Sequence, residues 1–328
     1  MEEYRNNKYT EWEIANKTEG WITFFTPSYN RAPFLPRVYE CLKKQTDKHF
    51  VWILVCDGSS DNSIEIANEL LKREDFPMLF IYKDNGGKHS AFKVALESTH
   101  TEYFVCMDDD DLYSPKSTET FLREWERIRQ EGKQDEVGAI RTLTRGFGDM
   151  KDPNEVVNDS EMFIDCSSLE RIYIQKIKQE NWTCYRTSSL RNIELFPLKY
   201  WLCTQHKFFN EGIWQGRFAR KYKCRYINIY LRYYTQDAEV SLIRSKKSRQ
   251  HYMDMFINSH FLMEEQFDFI RKSPLDSFKN MAIVGVLGRK LHIPLRDLWQ
   301  NSSVIFRLPY TFFFFIGGFV SKPHVPQD

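Results

Sequence analysis

The chain has 328 residues, of which 42% are hydrophobic and 28% charged. This length supports one large hydrophobic core plus a further region, and this composition excludes an intrinsically disordered protein. With 46 basic and 45 acidic residues the net charge is +1, so the overall charge gives no indication of nucleic-acid binding. The seven cysteines are odd in number and lack CxxC spacing, which predicts reduced thiols in a cytoplasmic protein.

Apolar runs and helical patterns alternate along the first part of the chain. Residues 1–20 are polar and lack a clear period, so we expect an N-terminal extension. Ser114 and Pro115 suit the start of a helix that runs to about Glu131, because serine caps helices and proline fits their first position. Buried strands are predicted at 21–26, 50–56, 78–82, 102–107 and 137–142, with helices between most of them. This alternation predicts an α/β fold with a mostly parallel central sheet and flanking helices.

The pattern changes after about residue 145. A helix is predicted at 209–222 and a strand at 225–234, and the segments after about residue 245 look helical, with breaks at Pro274 and Pro294. We therefore expect an α/β domain and a helical C-terminal region. The predicted boundaries are 1–20 for the extension, 21–235 for the α/β domain and 236–328 for the helical region.

An apolar stretch near the C-terminus, Tyr310–Val320, contains four consecutive phenylalanines. It is shorter than the roughly 20 apolar residues that span a bilayer. Two interpretations remain: an anchor at the membrane surface, or a strip packed on the main domain. The flanking basic residues Arg307 and Lys322 favour contact with the membrane surface.

Polar motifs follow the predicted strands at the points where they end. Tyr29, Asp57, the loop Gly86–Lys88 and the acidic run Asp108–Asp111 each come directly after a strand. Because the carboxyl ends of parallel strands meet at one edge of a sheet, we expect these residues to lie along that edge.

The acidic run consists of four adjacent aspartates, which repel one another. Such a run is either a solvated turn or a site for a cation, and hard cations such as Mg²⁺ or Mn²⁺ prefer carboxylate oxygens. The Gly-Gly-Lys loop allows close backbone approach and supplies a cation for a diphosphate. Together these features indicate a nucleotide-activated donor.

Five motifs occur in a compact order, and they are Thr26–Arg31, Gln45–Thr46, Cys56–Ser63, Asn85–Lys88 and Asp108–Asp111. This ordered set resembles the family 2 glycosyltransferases of the Rossmann-like GT-A fold, in particular those of bacterial capsule and other cell-surface polysaccharides. The resemblance covers about residues 21–235. It implies transfer of a sugar, of the hexosyl type, from a nucleotide-diphosphate donor, with a UDP-sugar favoured, to a saccharide or lipid-linked acceptor.

The resemblance also implies roles for single residues on the donor side. Pro27, Tyr29 and Arg31 would form part of the nucleotide site, with Tyr29 stacked near the base. Asp57 would accept a hydrogen bond from the base, which favours uracil. Lys88 would face the base or the diphosphate.

Within the acidic run, Asp108 and Asp110 match the two aspartates of the family's DxD motif. The resemblance implies that Asp108 contacts the ribose side and shares the metal, and that Asp110 ligates Mn²⁺ or Mg²⁺. Four aspartates in a row leave the register open. Asp109 could therefore share the nucleotide contacts, and Asp111 is a weaker candidate for the metal.

Glu211 matches the family's catalytic base at the start of a helix, six residues before Arg217. Gly212 stands where the family often has a second acid, so Glu211 would act alone. The alternative is that Glu211 only favours the start of its helix. Trp201 and Trp214 could line the acceptor side or belong to the core.

The resemblance implies a single displacement that inverts the sugar's configuration, with Glu211 deprotonating the acceptor hydroxyl. The QxxRW motif of processive members is absent, because Phe218 follows Gln215 where that arginine would stand, so we expect single additions. Contact with the inner face of the cell membrane would suit a lipid-linked acceptor. Two other classes remain open, a nucleotidyltransferase acting on sugar phosphates and a non-catalytic protein that binds nucleotide sugars or glycans.

Overall fold

The computed structural model describes residues 1–146, 163–195, 211–234 and 248–320, together with residues 323, 325 and 326. The chain divides into two compact units. Unit 1 comprises Met1–Ser167, Gln179–Ile193 and Lys221–Glu239, and unit 2 comprises Ser168–Lys178, Glu194–Arg220 and Val240–Asp328. The predicted boundary at residue 235 differs from this division, because two segments before it belong to unit 2.

The described part of unit 1 contains ten strands that form one sheet. They are β1 (Glu2–Arg5), β2 (Ile22–Ser28), β3 (Phe50–Asp57), β4 (Met78–Lys83), β5 (Tyr103–Cys106), β6 (Asp111–Tyr113), β7 (Val137–Gly146), β8 (Phe163–Cys166), β9 (Asn181–Arg186) and β10 (Lys223–Tyr234). Their order across the sheet is β1-β4-β3-β2-β5-β9-β7-β10-β6, and β8 also pairs with β10.

The helices of unit 1 are α1 (Asn7–Ile14), α2 (Leu35–Lys43), α3 (Ser63–Leu71), α4 (Lys88–Glu97), α5 (Ser117–Gln130) and α7 (Thr187–Arg191), with a short 3₁₀ turn at Ala32–Phe34. Strands β4, β3, β2 and β5 are neighbours and parallel. Every residue of β3 is buried, as expected for a parallel strand covered on both faces. The predicted α/β class is confirmed, while the mostly parallel order holds for these four strands and the sheet beyond them is mixed.

The first residues are part of the sheet, so the predicted N-terminal extension is wrong. Strand β1 pairs antiparallel with β4. The Asn6 side chain caps α1 by accepting from the backbone N–H of Tyr9 (2.8 Å), and it also donates to the carbonyl of Phe76 (2.8 Å). Tyr9 and Trp12 are buried on one side of α1. Two apolar residues in a polar helix give too short a pattern for the sequence to reveal it.

Helix α5 begins at Ser117, two residues later than predicted. Residues 111–113 form β6, which pairs antiparallel with β10. Ser114 continues this pairing because its N–H donates to the carbonyl of Leu231 (2.9 Å). A partner more than a hundred residues away therefore keeps the chain extended where local preference favours a helix.

Unit 2 is helical in its described parts. Its helices are α6 (Ser168–Tyr173), α8 (Glu211–Lys221), α9 (Arg249–Ile270), α10 (Pro274–Lys290), α11 (Leu295–Gln300) and α12 (Val304–Phe319). Pro274 begins α10 and Pro294 directly precedes α11, which confirms the predicted breaks. Among the described residues, no helix is long and apolar enough to cross a membrane.

One side of helix α12 is buried, and it packs against α10 and α9. Its buried residues are Phe306, Tyr310, Phe313, Phe314 and Gly317. A glycine on each helix permits close approach: a Cβ on Gly285 would lie 2.7 Å from the carbonyl oxygen of Tyr310, and one on Gly317 would lie 3.1 Å from the Cα of Val286. One side of this helix is therefore packed, but against helices of unit 2 and not, as the packed-strip interpretation expected, on the main domain.

Gly285→Ala should destabilise the protein by about 2 kcal/mol, because the added methyl group would have to force α10 and α12 apart. Gly318→Ala is the matched control, since the nearest atom to its added Cβ is 4.0 Å away. Alanine is the better helix former, so the control should lose no stability and could gain up to about 1 kcal/mol. Urea unfolding measures both. Equal midpoints for the two variants would contradict the close packing.

Candidate active site

The loops after β3 and β4 are joined through Asp57, which is buried at the end of β3. Its carboxylate accepts from the backbone N–H groups of Gly86 (2.9 Å) and Gly87 (2.6 Å) and from Lys83 Nζ (2.5 Å). The side chain of Asn85 donates to the carbonyl of Asp57 (2.9 Å). In this structure Asp57 therefore fixes the Gly-Gly-Lys loop, while its contact with a nucleobase stays a prediction.

The loop after β2 is held against the loop after β3 by Asn30. Its N–H donates to Ser59 Oγ (2.9 Å), and its side-chain oxygen accepts from the N–H of Ser60 (2.7 Å). Gly58, in the loop after β3, has φ +73°, a conformation that favours glycine. A Cβ at this position would also lie 2.5 Å from the backbone nitrogen of Asn85, so the position requires glycine. The neighbouring Tyr29 ring is exposed, as a ring that stacks on a ligand must be.

The four aspartates of the acidic run alternate in their exposure. Asp109 and Asp111 are buried. The side chains of Asp108 and Asp110 are 30% and 31% exposed. The two aspartates that match the DxD motif are therefore the two that solvent reaches, and the other two point into the protein.

Cationic side chains from three separate elements neutralise this run. Arg31 binds Asp109 (3.2 Å) and Asp110 (2.5 Å). Lys88, at the start of α4, binds Asp108 (2.8 Å). Arg232 of β10 binds Asp111 (2.5 Å) and Asp108 (3.3 Å), and it also pairs with Glu180 (3.4 Å).

The pKa values of these carboxyls follow from burial and from the cations. Burial raises the pKa of Asp109 to about 7 and that of Asp111 to about 6, although Arg31 and Arg232 act in the opposite direction. Burial acts the same way on Asp108, but Lys88 and Arg232 outweigh it and hold the pKa of its carboxyl below the ordinary value. Asp108 is thus kept ionised, as a carboxylate that contacts a cation or a hydroxyl must be.

The described residues contain no group of three or more His, Cys, Asp or Glu side chains placed to hold a metal ion. The donor set nevertheless fits a metal that takes its other ligands from phosphate and water, because Mg²⁺ sites of that kind need one or two carboxylates. Asp108 and Asp110 provide two, both accessible to solvent.

Sequence reasoning missed Lys83 and Arg232. Both are strand residues, in β4 and β10, and neither belongs to a motif. Arg232 contacts Asp111 because β10 pairs with β6, and the sequence pattern does not predict that pairing. Lys83 could have been suspected, since it lies three residues before Gly86 of the Gly-Gly-Lys loop.

The other predicted residues are not brought into this cluster by the described contacts. Pro27 lies within β2, opposite Val55 of β3. Glu211 begins α8 of unit 2, which fits the predicted helix start, and its role as base stays a prediction. Trp214 is 2% exposed, as its interpretation as a core residue predicts, and it offers no surface to a sugar in this structure. Trp201 lies outside the described residues.

A family model described as glycosyl transferase family 2 matches residues 23–192, just over half of the chain. The chain belongs to this family. The match spans the strands that carry Tyr29, Asp57 and the acidic run, so the predicted recognition and the predicted enzyme class are confirmed at the level of the family.

Curated proteins match this family 2 domain over shorter segments. A teichoic acid poly(glycerol phosphate) polymerase of Staphylococcus epidermidis is 35% identical over 91 residues, which are 27% of this chain and 13% of that protein. The glycosyltransferase GlyG of Streptococcus pneumoniae is 29% identical over 103 residues, 31% of this chain and 34% of that protein. The chain spans about a third or less of these relatives.

A solved structure of S. aureus TarS, residues 1–349 in complex with UDP-GlcNAc, is similar over 90% of this chain and 80% of that one, with a TM-score of 0.56. The sequence identity is 15%, so the similarity shows the fold alone. It supports the predicted α/β glycosyltransferase fold with a helical C-terminal region.

The alternation in exposure predicts different effects on stability within the acidic run. Asp111→Ala should cost about 2 kcal/mol, because it removes the carboxylate that accepts from the largely buried side chain of Arg232 and leaves that donor without this partner. Asp110→Ala should cost less than about 1 kcal/mol, because its pair with Arg31 is partly exposed. Urea unfolding at pH 8 measures the difference. Equal losses of stability would contradict the difference in burial between the two side chains.

Proposed function

We propose that this family 2 domain is an inverting glycosyltransferase that uses a nucleotide-diphosphate sugar, with a UDP-sugar favoured. The observation that carries the proposal is the pair Asp108 and Asp110. These are the two solvent-accessible carboxylates of the acidic run, and they lie among Arg31, Lys88 and Arg232 at the carboxyl edge of the parallel strands. A cluster of carboxylates and cations suits a ligand that is both a metal complex and a diphosphate.

The donor nucleotide would bind along the loops after β2 and β3. Tyr29 is exposed and would stack on the base, and the same loop carries Arg31. Asp57 would have to accept a further hydrogen bond from the base beside those it takes from Lys83 and the glycine loop. Solved structures of S. aureus TarS contain UDP-GlcNAc or UDP, which supports uridine as the favoured base here.

Mn²⁺ or Mg²⁺ would be held by Asp110, with Asp108 as the second carboxylate. When bound, the metal would offset negative charge on the diphosphate leaving group. Lys88 would contribute to the same charge stabilisation from the start of α4. Asp109 and Asp111 would keep Arg31 and Arg232 in place rather than bind donor or metal, because both carboxylates are buried.

Glu211 would deprotonate the acceptor hydroxyl, which then attacks the anomeric carbon from the face opposite the diphosphate. One displacement inverts the configuration. The acceptor would be a saccharide or lipid-linked glycan of the cell surface, and the domain would work at the membrane surface. The teichoic acid polymerase among its relatives supports a cell-surface polymer.

Turnover of nucleotide sugars tests the donor site. With Mn²⁺ and a panel of nucleotide sugars, we expect release of UDP from one UDP-sugar, and Asp110→Asn should lower the rate at least a hundredfold by weakening a charge-stabilising contact, on the order of 3 kcal/mol. Asp135→Asn removes an exposed aspartate outside the site and is the matched control. Chelation by EDTA should abolish turnover, and added Mn²⁺ should restore it.

A wild-type chain that turns over no donor, together with unchanged nucleotide binding in Asp110→Asn, would contradict the proposed function. Binding without turnover would instead favour a nucleotide-sugar-binding protein. Release of pyrophosphate from a nucleoside triphosphate and a sugar phosphate would favour a nucleotidyltransferase.

Glu211→Gln tests the base separately. It should lower transfer to an acceptor by about a hundredfold or more while UDP-sugar binding stays unchanged, because the amide keeps the shape but cannot take the proton. Glu170→Gln, which changes the first turn of another unit 2 helix, is the control. Isothermal titration with the UDP-sugar measures binding, and UDP release with acceptor measures transfer. Equal loss of binding would show that Glu211 is structural.

A further inference from the structure

Helix α12 has a second apolar side opposite the one that packs on α10. Its exposed apolar residues form one stripe with helical spacing, and they are Val304, Leu308, Phe312, Phe315 and Phe319, with Ile305 beside the first of them. Each is at least 60% exposed, and Phe319 reaches 92%. The four consecutive phenylalanines thus divide between the two sides, with Phe313 and Phe314 buried and Phe312 and Phe315 exposed.

Helix α10 exposes two further apolar residues of unit 2. Leu275 and Phe278 of α10 are exposed, and the Phe278 ring packs edge-on against Phe313 with centroids 5.1 Å apart. Large exposed apolar patches mark interaction surfaces, because single apolar residues scatter over a surface but do not gather on it. This patch, which we call the α12 stripe, therefore needs an occupant.

Charge around the stripe identifies the kind of occupant. Residues 271–322 contain eight lysines and arginines and two acidic residues, Asp276 and Asp297, in a chain whose totals are nearly balanced. Asp276 is already paired with Lys178 (3.2 Å). Helix α12 itself contains no acidic residue. This segment of the chain is therefore strongly basic, and the carboxylate of Glu264 on α9 accepts from the N–H of Ser303 (3.0 Å) just before α12.

A cavity next to the stripe is lined by both apolar and basic side chains. It has a volume of about 430 Å³ and is lined by Leu295, Arg296, Trp299, Gln300 and Arg307. Trp299 Nε1 donates to Thr311 Oγ1 (2.7 Å), which fixes the partly exposed indole against the middle of α12. Tryptophan and arginine beside an apolar surface are the residues that occupy the headgroup level of a bilayer.

We propose that the α12 stripe inserts into the surface of a bilayer rich in anionic phospholipids, with Arg296 and Arg307 binding lipid phosphates. Helix α12 has 16 residues and lies across α10, so it would lie in the interface rather than span it. A second copy of the chain is a poorer occupant, because a two-fold contact would bring the same basic residues together. This inference shares with the proposed function the placement of the acceptor at the membrane surface, and it does not depend on the proposed donor chemistry.

Flotation of the full chain with vesicles tests this, without any sugar donor. Vesicles of phosphatidylglycerol and phosphatidylcholine should bind the chain, and pure phosphatidylcholine should bind it at least about tenfold more weakly. Phe312→Ser/Phe315→Ser/Phe319→Ser should lower partition into the mixed vesicles at least about tenfold. The control, Ile14→Ser/Ile164→Ser, removes exposed apolar residues of unit 1 and should bind as the wild type does.

Charge is tested by Arg296→Gln/Arg307→Gln, which should lower binding to the mixed vesicles about tenfold and leave binding to pure phosphatidylcholine unchanged. Its control is Lys8→Gln/Lys72→Gln in unit 1. Circular dichroism checks folding. If the triple variant does not fold, Phe319→Ser alone carries the test, because that side chain is almost fully exposed.

The proposal is overturned if the wild type does not bind the mixed vesicles, or if the triple variant binds as well as the wild type. It is also overturned if the wild type is a dimer that the triple variant converts to a monomer without vesicle binding in either state. A chain that binds vesicles but turns over no donor would contradict the proposed function and leave this inference standing, and the reverse result would do the opposite.

Discussion

Repulsion among four adjacent carboxylates is the constraint on which the arrangement around Asp108–Asp111 depends. Two like charges a few ångströms apart repel by several kcal/mol in partly buried surroundings, so Asp108–Asp111 can be held together only by cations. Those cations come from the loop after β2, the start of α4 and strand β10. Each must be in position before the run is stable, so the cluster assembles only when the sheet does. The two buried aspartates bind arginines inside the protein, while the two partly exposed ones pair with cations at positions that solvent reaches.

The sequence predicts the part of this arrangement that local pattern specifies. Strands β2 to β5 are buried on both faces, which makes them continuous apolar runs, and the polar residues that follow each run reach the same edge because the strands are parallel. Pairing between distant segments is not visible in this way. Strand β6 has three residues, and its partner β10 lies more than a hundred residues later. From the sequence without that pairing, nothing assigns Arg232 to the site, and the local pattern at Ser114 predicts the start of a helix.

Composition conceals structure at both ends of the chain for opposite physical reasons. Residues 1–20 are polar because β1 is an edge strand and α1 buries only Tyr9 and Trp12, so a structured segment looks like an extension. The phenylalanine run is apolar throughout, which hides that it is a helix with two different sides. Gly285 and Gly317 let one side approach α10 closely, and that approach fixes which phenylalanines face outward.

The two units differ in the distribution of their charged residues, and each distribution suits a different kind of ligand. In unit 1 the four aspartates of the acidic run lie at the edge of the sheet and are paired there with cations, so a metal and a diphosphate, if bound as proposed, would meet a locally balanced site. Unit 2 carries an excess of basic residues around an apolar stripe, together with the predicted base Glu211. A chain with nearly equal totals of acid and base thus keeps them in different places. Net charge alone would have suggested neither the proposed diphosphate site nor the proposed affinity for anionic lipid, and both proposals rest on where the charges lie.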